Sequence, residues 1–303
     1  MPAKDRVAAL VGPTAVGKTA VAAAVARALD AEIVSIDSMQ VYRGMDIGTA
    51  KPPRALLDDV THHLVDVFPP ERAVSVAEFQ GLARAAIREV TARGRLPLLV
   101  GGSGLYFRAV VDDLSFPPHA PDIRSSLEAE ADNVGAEALH ARLTQLDPEA
   151  ASKIEPGNAR RTIRALEVIT TTGRRFSENA TAWERYESIY ELAVAGLRRP
   201  RAELYERVAD RVDAMLAAGL VVEVMRLRES LGPSARQALG YKQVLEMHGA
   251  PLPEIRDEIV KATKRFARRQ ESWFAADPRI EWFEAAAPVV SHELIAYYSQ
   301  PGK

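Results

Sequence analysis

A glycine-rich segment near the start of the chain has the residue types and spacing of a phosphate-binding loop. The pattern G-x-x-x-x-G-K-[ST] is matched by Gly12, Pro13, Thr14, Ala15, Val16, Gly17, Lys18 and Thr19. An apolar run at residues 7–11 precedes it as a predicted strand, and a predicted amphipathic helix follows it. Such a unit directs backbone N–H groups and a helix N-terminus at one point, which suits a polyphosphate. We expect Lys18 to place its charge on the phosphates and the Thr19 hydroxyl to bind Mg²⁺; the alternative is a tight turn without a ligand.

A carboxylate comes directly after the second predicted strand, residues 31–36. It belongs to Asp37. Because ligands of open α/β sheets bind at the carboxyl ends of the strands, we expect Asp37 to face the phosphate loop from a neighbouring strand. In that position the carboxylate would bind Mg²⁺ or act as a general base. The alternative is an aspartate that makes an Asx-turn or caps a helix.

No carboxylate follows the predicted strand at residues 96–100, which ends in Gly101, Gly102 and Ser103. ATP-hydrolysing enzymes with a phosphate loop usually hold magnesium with an aspartate at the end of such a strand. The sequence therefore disfavours a motor or an NTPase. Two classes remain open, a small-molecule kinase and an enzyme that uses the loop for a diphosphate leaving group.

The predicted elements form an α/β core that is interrupted by helices. Strands and helices alternate over residues 1–116, as in a parallel sheet. A helical insertion domain is expected at residues 117–185, after a proline-rich boundary at 115–121, and residues 186–303 complete the core with long helices and a C-terminal tail. The expected fold is therefore a P-loop NTPase-like parallel sheet core with a helical insertion domain.

Local signals place the remaining elements. Further strands are expected at about residues 63–67, 189–197 and 278–284, and long helices at about 201–231 and 253–276. Ser75 and Glu78 form a capping box that begins a helix reaching about Arg93. The adjacent His62 and His63 would point to opposite faces of a strand, which disfavours a shared metal site.

Composition limits the class of protein further. The chain has 303 residues, a formal net charge of −2 and no cysteine. A net charge near zero argues against general nucleic-acid binding by the whole surface, and the lack of cysteine excludes disulfides, thiolate metal sites and cysteine nucleophiles. No stretch approaches the roughly 20 apolar residues of a membrane span, and the N-terminus does not read as a signal peptide. We expect a cytoplasmic protein without a membrane segment and, because no oligomerisation signal is found, a monomer.

Basic residues are concentrated after residue 116. Three of them share one face of a predicted helix at spacings of three and four: Arg160, Arg161 and Arg164. Arg207 and Arg211 repeat the four-residue spacing. A longer stripe without interleaved acids consists of Lys261, Lys264, Arg265, Arg268 and Arg269. Such a stripe is either a solvated helix face or a surface for a phosphate backbone.

These segments together resemble the tRNA dimethylallyltransferase family, also called tRNA isopentenyltransferases, over nearly the whole chain. The residues that carry the resemblance are 12–19, 37–42, 45–52, 62–66, 101–106, 161–168 and 237–242. The block after the phosphate loop is far more specific than the loop itself. The resemblance implies transfer of a dimethylallyl group from dimethylallyl diphosphate to N6 of the adenosine immediately 3′ of the anticodon in tRNA, with release of diphosphate.

The resemblance also implies roles for particular residues. Asp37 would be the general base, and Lys18, Thr19-bound Mg²⁺ and Arg211 would stabilise the leaving diphosphate. The tRNA side would consist of Asp37, Ser38, Met39, Gln40, Ser103, Arg124, Arg160, Arg161, Arg164, Arg236, Gln237, Gly240, Tyr241 and Lys242. The chain departs from the family pattern at Ser103, where threonine is more common, at Ala159, where proline is, and at Lys242, where arginine is. Residues 170–185 match poorly.

Three other functions remain as alternatives. The first is an adenylate isopentenyltransferase, which prenylates a free nucleotide; the helical insertion and the arginine clusters argue against it, because a mononucleotide does not need them. The second is a small-molecule kinase with a phosphate loop, in which Asp37 activates a hydroxyl group. The third is an RNA-binding protein with a degenerate phosphate site, against which the intact Lys18, Thr19 and Asp37 argue.

Overall fold

The core of the protein is a six-stranded parallel sheet. The computed structural model describes residues 4–117, 119–179, 183 and 185–300. The strands are β1 (Arg6–Val11), β2 (Ala31–Ser35), β3 (His62–His63), β4 (Leu96–Gly101), β5 (Glu191–Arg198) and β6 (Ile280–Glu284). Their order in the sheet is β3-β2-β4-β1-β5-β6, and every pair of neighbours is parallel. The expected α/β class with a parallel sheet is confirmed.

Helices follow most of the strands. In the first part of the chain they are α1 (Lys18–Ala28), α2 (Arg54–Asp59), α3 (Val76–Ala92) and α4 (Gly104–Val111). After α4 and before β5, the described part of the chain has α5 (Pro121–Val134), α6 (Ala136–Leu146), α7 (Pro148–Ser152) and α8 (Ala159–Thr172). The last part of the chain has α9 (Arg201–Ala217), α10 (Leu220–Leu227), α11 (Tyr241–Glu246), α12 (Leu252–Ala275) and α13 (Val290–Tyr298).

Apolar side chains bury both faces of the sheet. On β1, Val7, Ala9 and Val11 pack into one hydrophobic core, whereas Ala8 and Leu10 pack into a second one. Successive residues of a strand point to opposite faces, so a strand that is buried on both faces reads as one continuous apolar run. With both faces of the sheet covered, a ligand site is expected at the carboxyl ends of the strands.

Local chemistry sets several element boundaries. The Ser75 side chain accepts a hydrogen bond from the Glu78 N–H (3.1 Å) where α3 begins, as the capping box predicts. The strand expected at 63–67 is wrong beyond His63, because Leu64 has a left-handed φ of 63°. The helix expected at 201–231 is divided at Gly219, whose φ of 98° ends α9 before α10 begins.

The chain forms two compact units. Residues up to Asp112 and from Ser188 onward form the first, and Asp113–Glu187 form the second. The second unit has its own apolar core, which includes Leu127, Leu139 and Leu143. The expected insertion at 117–185 lies within this second unit, and its limits as a domain stay a prediction. Pro118 of the expected boundary, and residues 180–182 and 184 near the expected end, lie outside the described residues.

Candidate active site

The phosphate loop lies between β1 and α1, as the motif predicts. Gly12 passes so close to β5 that a Cβ atom there would lie 2.6 Å from the carbonyl oxygen of Leu197. Gly17 has a φ of 114° and precedes the first residue of α1. Glycine is needed at both positions, at the first for space and at the second for backbone conformation. Lys18 Nζ donates to the carbonyl oxygens of Gly12 (2.9 Å) and Pro13 (2.7 Å), which holds the ammonium against the loop.

Side chains from the second half of the chain hold this loop. Gln270 of α12 is buried; its Oε1 accepts from the Thr14 N–H (2.9 Å), and its Nε2 donates to the carbonyl oxygen of Gly102 (2.7 Å). Arg199 Nε donates to the Val16 carbonyl oxygen at 2.9 Å. Sequence reasoning missed Gln270, although a glutamine on the otherwise mostly apolar face of α12 was a usable signal.

Asp37 reaches the phosphate loop from a strand that does not adjoin β1. The expectation of neighbouring strands is wrong, because β4 lies between β1 and β2. The ends of β1 and β2 still approach each other, because β4 between them ends in Gly101 and is followed by Gly102. A Cβ atom at Gly101 would lie 2.5 Å from Cγ1 of Ile36, and one at Gly102 would lie 3.1 Å from the carbonyl oxygen of Gly12. At Gly101 and Gly102, where other enzymes with a phosphate loop usually have an aspartate, a side chain therefore does not fit.

The Asp37 carboxylate makes the Asx-turn that was one of its two expected uses, and its role as a general base or metal ligand stays a prediction. Its Oδ1 accepts hydrogen bonds from the N–H groups of Met39 (2.8 Å) and Gln40 (3.4 Å), which is an Asx-turn. Within the described part of the chain, no hydrogen bond to Oδ2 is found. Burial lowers the pKa of both Lys18 and Arg211, and the negative charge of Asp37 opposes part of that lowering. The turn therefore fixes one carboxylate oxygen and leaves the other for a proton or a ligand.

Lys18 and Arg211 form a pair of cations that Asp37 influences through its charge without a direct ion pair in the described part of the chain. Burial and, to a smaller extent, the Arg211 guanidinium together lower the pKa of Lys18 to about 7, against the opposing effect of Asp37. Burial also lowers the pKa of Arg211. Among the described residues, no ion pair to either side chain is found. Two partly desolvated cations that repel each other become stable together when an anion binds between them.

Thr19 is the candidate metal ligand on the loop. It lies in the first turn of α1, is exposed, and has no side-chain hydrogen bond to the described part of the chain. Over the same residues, no cluster of three or more His, Asp or Glu side chains is placed to hold a metal ion. His63 Nε2 instead lies 2.6 Å from the carboxylate of Glu32, and His62 Nδ1 lies 2.7 Å from the Val60 carbonyl oxygen.

The residues expected on the tRNA side in the first unit differ in exposure. Half-buried are Ser38, Met39, Gln40, Ser103 and Lys242; exposed are Arg236 and Gln237; buried are Gly240 and Tyr241. The Tyr241 side chain is fully buried, and its hydroxyl donates to Glu223 at 2.6 Å. We therefore interpret Tyr241 as a buried residue that holds the expected tRNA-binding residues in place and does not itself contact tRNA. Glu223 was not identified from the sequence, and only its place among apolar neighbours on α10 marked it.

In the second unit, two of the expected arginines bind a buried carboxylate. Arg124 and Arg164 form ion pairs with Glu167, at 2.9 and 3.0 Å. Burial alone would raise the pKa of Glu167, but hydrogen bonds from the Ala120 N–H, Arg164 and Arg124 outweigh it and lower the pKa to about 2. Arg160 and Arg161 are exposed. Arg164 thus differs from them, although all three belong to one helix.

The basic stripe on α12 has an acidic neighbour, Glu258, one turn before it. Lys261 and Arg265 both bond to Glu258, each at 3.1 Å. Lys264 Nζ lies 5.2 Å from the ring centre of Tyr205. Arg268 is exposed, and within the described ranges it has no partner. The stripe is therefore partly compensated, and its role stays a prediction.

No helix in the described ranges is both long and apolar enough to cross a lipid bilayer.

Comparisons with known proteins agree with this geometry. The family model described as IPP transferase matches residues 40–277. A tRNA dimethylallyltransferase of Acidothermus cellulolyticus is 54% identical over 288 residues, which are 93% of this chain and 90% of that protein. One of Streptomyces coelicolor is 51% identical, with 93% and 91% covered.

Solved structures give the same result. The tRNA isopentenylpyrophosphate transferase of Bacillus halodurans superposes with a TM-score of 0.71 at 40% identity, covering 97% of this chain and 95% of that one. A eukaryotic dimethylallyltransferase acting on tRNA superposes with a TM-score of 0.82 at 25% identity, covering 96% and 78%. The family model spans most of the chain, and the relatives match it almost from end to end. This chain therefore belongs to the IPP transferase family, whose relatives named above are tRNA dimethylallyltransferases.

Proposed function

We propose that this protein transfers a dimethylallyl group from dimethylallyl diphosphate to N6 of the adenosine 3′-adjacent to the anticodon in tRNA, and releases diphosphate. The observation that carries the proposal is the pair of uncompensated cations, Lys18 and Arg211, beside a phosphate loop that Asp37 faces. An anion site next to a carboxylate suits a reaction in which one substrate loses an anion and the other loses a proton. Membership of the IPP transferase family and the relatives named tRNA dimethylallyltransferase support this choice of substrates.

The donor half of the reaction requires stabilisation of a leaving anion. As the bond between C1 of the dimethylallyl group and the bridging oxygen breaks, its electron pair stays on the diphosphate. The backbone N–H groups of the loop, Lys18 and Arg211 would bind that diphosphate, and their attraction to it grows as negative charge accumulates. The half-buried position of both cations strengthens this effect, because water screens them less.

The acceptor half requires removal of a proton. The adenine amine is a weak nucleophile, because its lone pair is delocalised into the ring. Asp37 Oδ2 would accept an N6 proton as the bond between N6 and C1 forms, while the N–H of Met39 holds Oδ1 in place. One N–H and one C–O bond break, and one N–C and one O–H bond form, so the step balances without a redox partner.

Mg²⁺ fits the residues at the loop. The ion keeps several waters and binds substrate phosphates together with one or two protein oxygens. The exposed Thr19 hydroxyl would be one ligand, and Asp37 is the candidate for a second. When bound, Mg²⁺ would neutralise charge on the leaving diphosphate.

The acceptor surface would consist of the exposed and half-buried residues of the tRNA set. In the first unit these are Asp37, Ser38, Met39, Gln40, Ser103, Arg236, Gln237 and Lys242, with Gly240 and Tyr241 as support. In the second unit, Arg160 and Arg161 would contact phosphates, while Arg124 and Arg164 would chiefly hold Glu167. We expect the protein to act as a monomer in the cytoplasm.

A comparison of acceptors tests the proposal. The protein is incubated with Mg²⁺, dimethylallyl diphosphate and an anticodon stem-loop, and the digested RNA is analysed for N6-dimethylallyladenosine. A stem-loop with guanosine at the target position is the matched control, and AMP is the competing acceptor. We expect product with the adenosine stem-loop only. Efficient turnover of AMP would favour an adenylate isopentenyltransferase, and ATP-dependent phosphorylation of an acceptor would favour a kinase.

A further inference from the structure

A buried carboxylate outside the catalytic residues binds three successive backbone N–H groups. Glu223 of α10 is only 5% exposed. Its two oxygens accept from the N–H groups of Asp46 (3.0 Å), Ile47 (2.9 and 3.1 Å) and Gly48 (3.0 Å). Its Oε1 also accepts from the Tyr241 hydroxyl at 2.6 Å. The carboxylate thus joins two segments that are distant from each other in the sequence.

These bonds explain how the negative charge is tolerated. A buried carboxylate is costly unless donors surround it, and here amide and hydroxyl donors do so. Burial and the bond to Glu223 both raise the pKa of Tyr241, so its hydroxyl remains a donor. The reverse also holds, because without Glu223 the loop at 46–48 would have three N–H groups directed at one place with no acceptor.

The loop that Glu223 holds is bonded in turn to the Asp37 turn. The carbonyl oxygens of Thr49 and Ala50, which follow the loop directly, lie 3.4 and 3.3 Å from Gln40 Nε2. The Ser35 hydroxyl donates to the other end of the same side chain, Gln40 Oε1, at 2.9 Å. The Gln40 N–H is one of the two that bond to Asp37. A continuous path of bonds therefore runs from Glu223 to the proposed base.

Close packing also joins the loop at residues 46–48 to the start of α11. A Cβ atom at Gly48 would lie 2.5 Å from Cε2 of Tyr241 and 2.9 Å from Cδ1 of Leu220. Gly48 therefore rests directly on the Tyr241 ring. Tyr241 is the first residue of α11, and Lys242 of the expected tRNA surface is the next. The position of the loop and that of the α11 N-terminus are consequently fixed together.

We propose that Glu223 is a positioning residue for the acceptor side of the site. It holds residues 46–50 and the start of α11 in a single arrangement, so that Asp37 and Gln40 are presented to the target adenosine in the reactive geometry. The inference rests on the proposed function and adds to it a residue that touches neither substrate. Glu223 should affect the acceptor side of the site and not the diphosphate side, because none of these bonds involves the phosphate loop.

Glu223→Gln is the main test, since it keeps the size of the side chain and replaces one acceptor oxygen with a donor NH₂ group. We expect kcat/KM for the anticodon stem-loop to fall about 10- to 100-fold, because misplacement of reacting groups by about 1 Å costs up to about 10². The affinity for inorganic diphosphate should stay within about twofold. Tyr241→Phe removes one bond and should give a smaller change in the same direction. Glu229→Gln, at an exposed glutamate that pairs with Arg228, is the control and should behave as the unmodified protein.

Amide hydrogen exchange gives a readout that does not depend on activity. In Glu223→Gln, the N–H groups of residues 46–48 should exchange faster, while those of the phosphate loop should not. If the variant weakens diphosphate binding by the same factor as stem-loop turnover, or changes neither turnover nor exchange, the proposal is overturned. Should Glu223→Gln not fold, Tyr241→Phe decides by the same criteria. If the unmodified protein fails to prenylate the stem-loop, the proposed function is refuted instead. The exchange measurement would still show whether Glu223 holds residues 46–48.

Discussion

Two groups of cations in this protein differ in what surrounds them. At the phosphate loop, Lys18 and Arg211 are half-buried and repel each other, and no carboxylate bonds to either within the described part of the chain. In the second unit, Arg124 and Arg164 bond to the buried Glu167 at 2.9 and 3.0 Å. The positive charges of Lys18 and Arg211 are therefore available to bind an anion. Those of Arg124 and Arg164 are already neutralised by a carboxylate of the protein.

The contrast shows why counting basic residues is a weak guide to a binding surface. A cation that a buried carboxylate holds stabilises the fold, and removing it leaves that carboxylate with too few donors. A cation without such a partner is available to a ligand. By this criterion Arg160 and Arg161 are better candidates for RNA contact than Arg164, although the sequence places all three on one helix.

The largest effect is expected at the carboxylate that faces the uncompensated cations. Asp37→Asn keeps an oxygen for the Met39 N–H but can no longer accept a proton. We expect kcat for stem-loop prenylation to fall by about 10²–10⁴. Diphosphate binding should be retained, because the substitution removes a negative charge beside Lys18 and Arg211. Single-turnover kinetics and calorimetry measure the two quantities. A variant that turns over at the unmodified rate would remove Asp37 from the mechanism.

The next largest effect concerns the anion site itself. Arg211→Gln should weaken inorganic diphosphate binding about 10- to 100-fold, because a hydrogen bond to a charged group contributes about 1.5–3 kcal/mol. Thermal stability should stay the same or increase, since a partly buried cation without a counter-ion is lost. Calorimetric titration and thermal unfolding report these changes. If unfolding shows a marked loss of stability with no change in binding, Arg211 belongs to the structural group.

A pH dependence of donor binding follows from Lys18. Its pKa of about 7 means that the free site loses this charge as pH rises above 7, whereas a bound diphosphate would keep the lysine protonated. Binding should therefore take up a proton above pH 7, and affinity should fall by up to about tenfold per pH unit. Lys18→Arg should abolish this part of the dependence, because arginine stays charged. Titration of the donor's own phosphates is common to both proteins, so an identical pH profile for the two would contradict the prediction.

The smallest effect on ligand binding should occur in the compensated pair. Arg124→Gln removes a donor from the buried Glu167, so we expect the second unit to lose about 1–3 kcal/mol of unfolding free energy. Diphosphate affinity should change by less than about twofold. Arg160→Gln is the matched control, since it removes an exposed arginine and should not affect stability. If Arg124→Gln were as stable as the unmodified protein but bound RNA much more weakly, the pair would belong with the ligand-binding cations.

Much of the fold could be read from the chain because its signals are local. The phosphate loop is one contiguous pattern, and the capping box of Ser75 and Glu78 lies within a few residues. The strands that are buried on both faces appear as apolar runs for the reason that successive residues point to opposite sides of the sheet. The failures are also informative, because Leu64 and Gly219 end elements through backbone conformations that apolar periodicity does not report.

The sequence alone therefore determined the parallel α/β core, the phosphate loop and the aspartate after β2, all through patterns within short segments. Only the tertiary structure decided that β4 separates β1 from β2, and that its glycines let Asp37 act on Lys18 and Arg211. It also decided which distant side chains hold the site, since Gln270 lies 256 residues from Thr14 and Glu223 lies 177 residues from Asp46. The physical reason is that strand order and the pairing of buried polar groups depend on how the whole chain packs, and no short pattern encodes them.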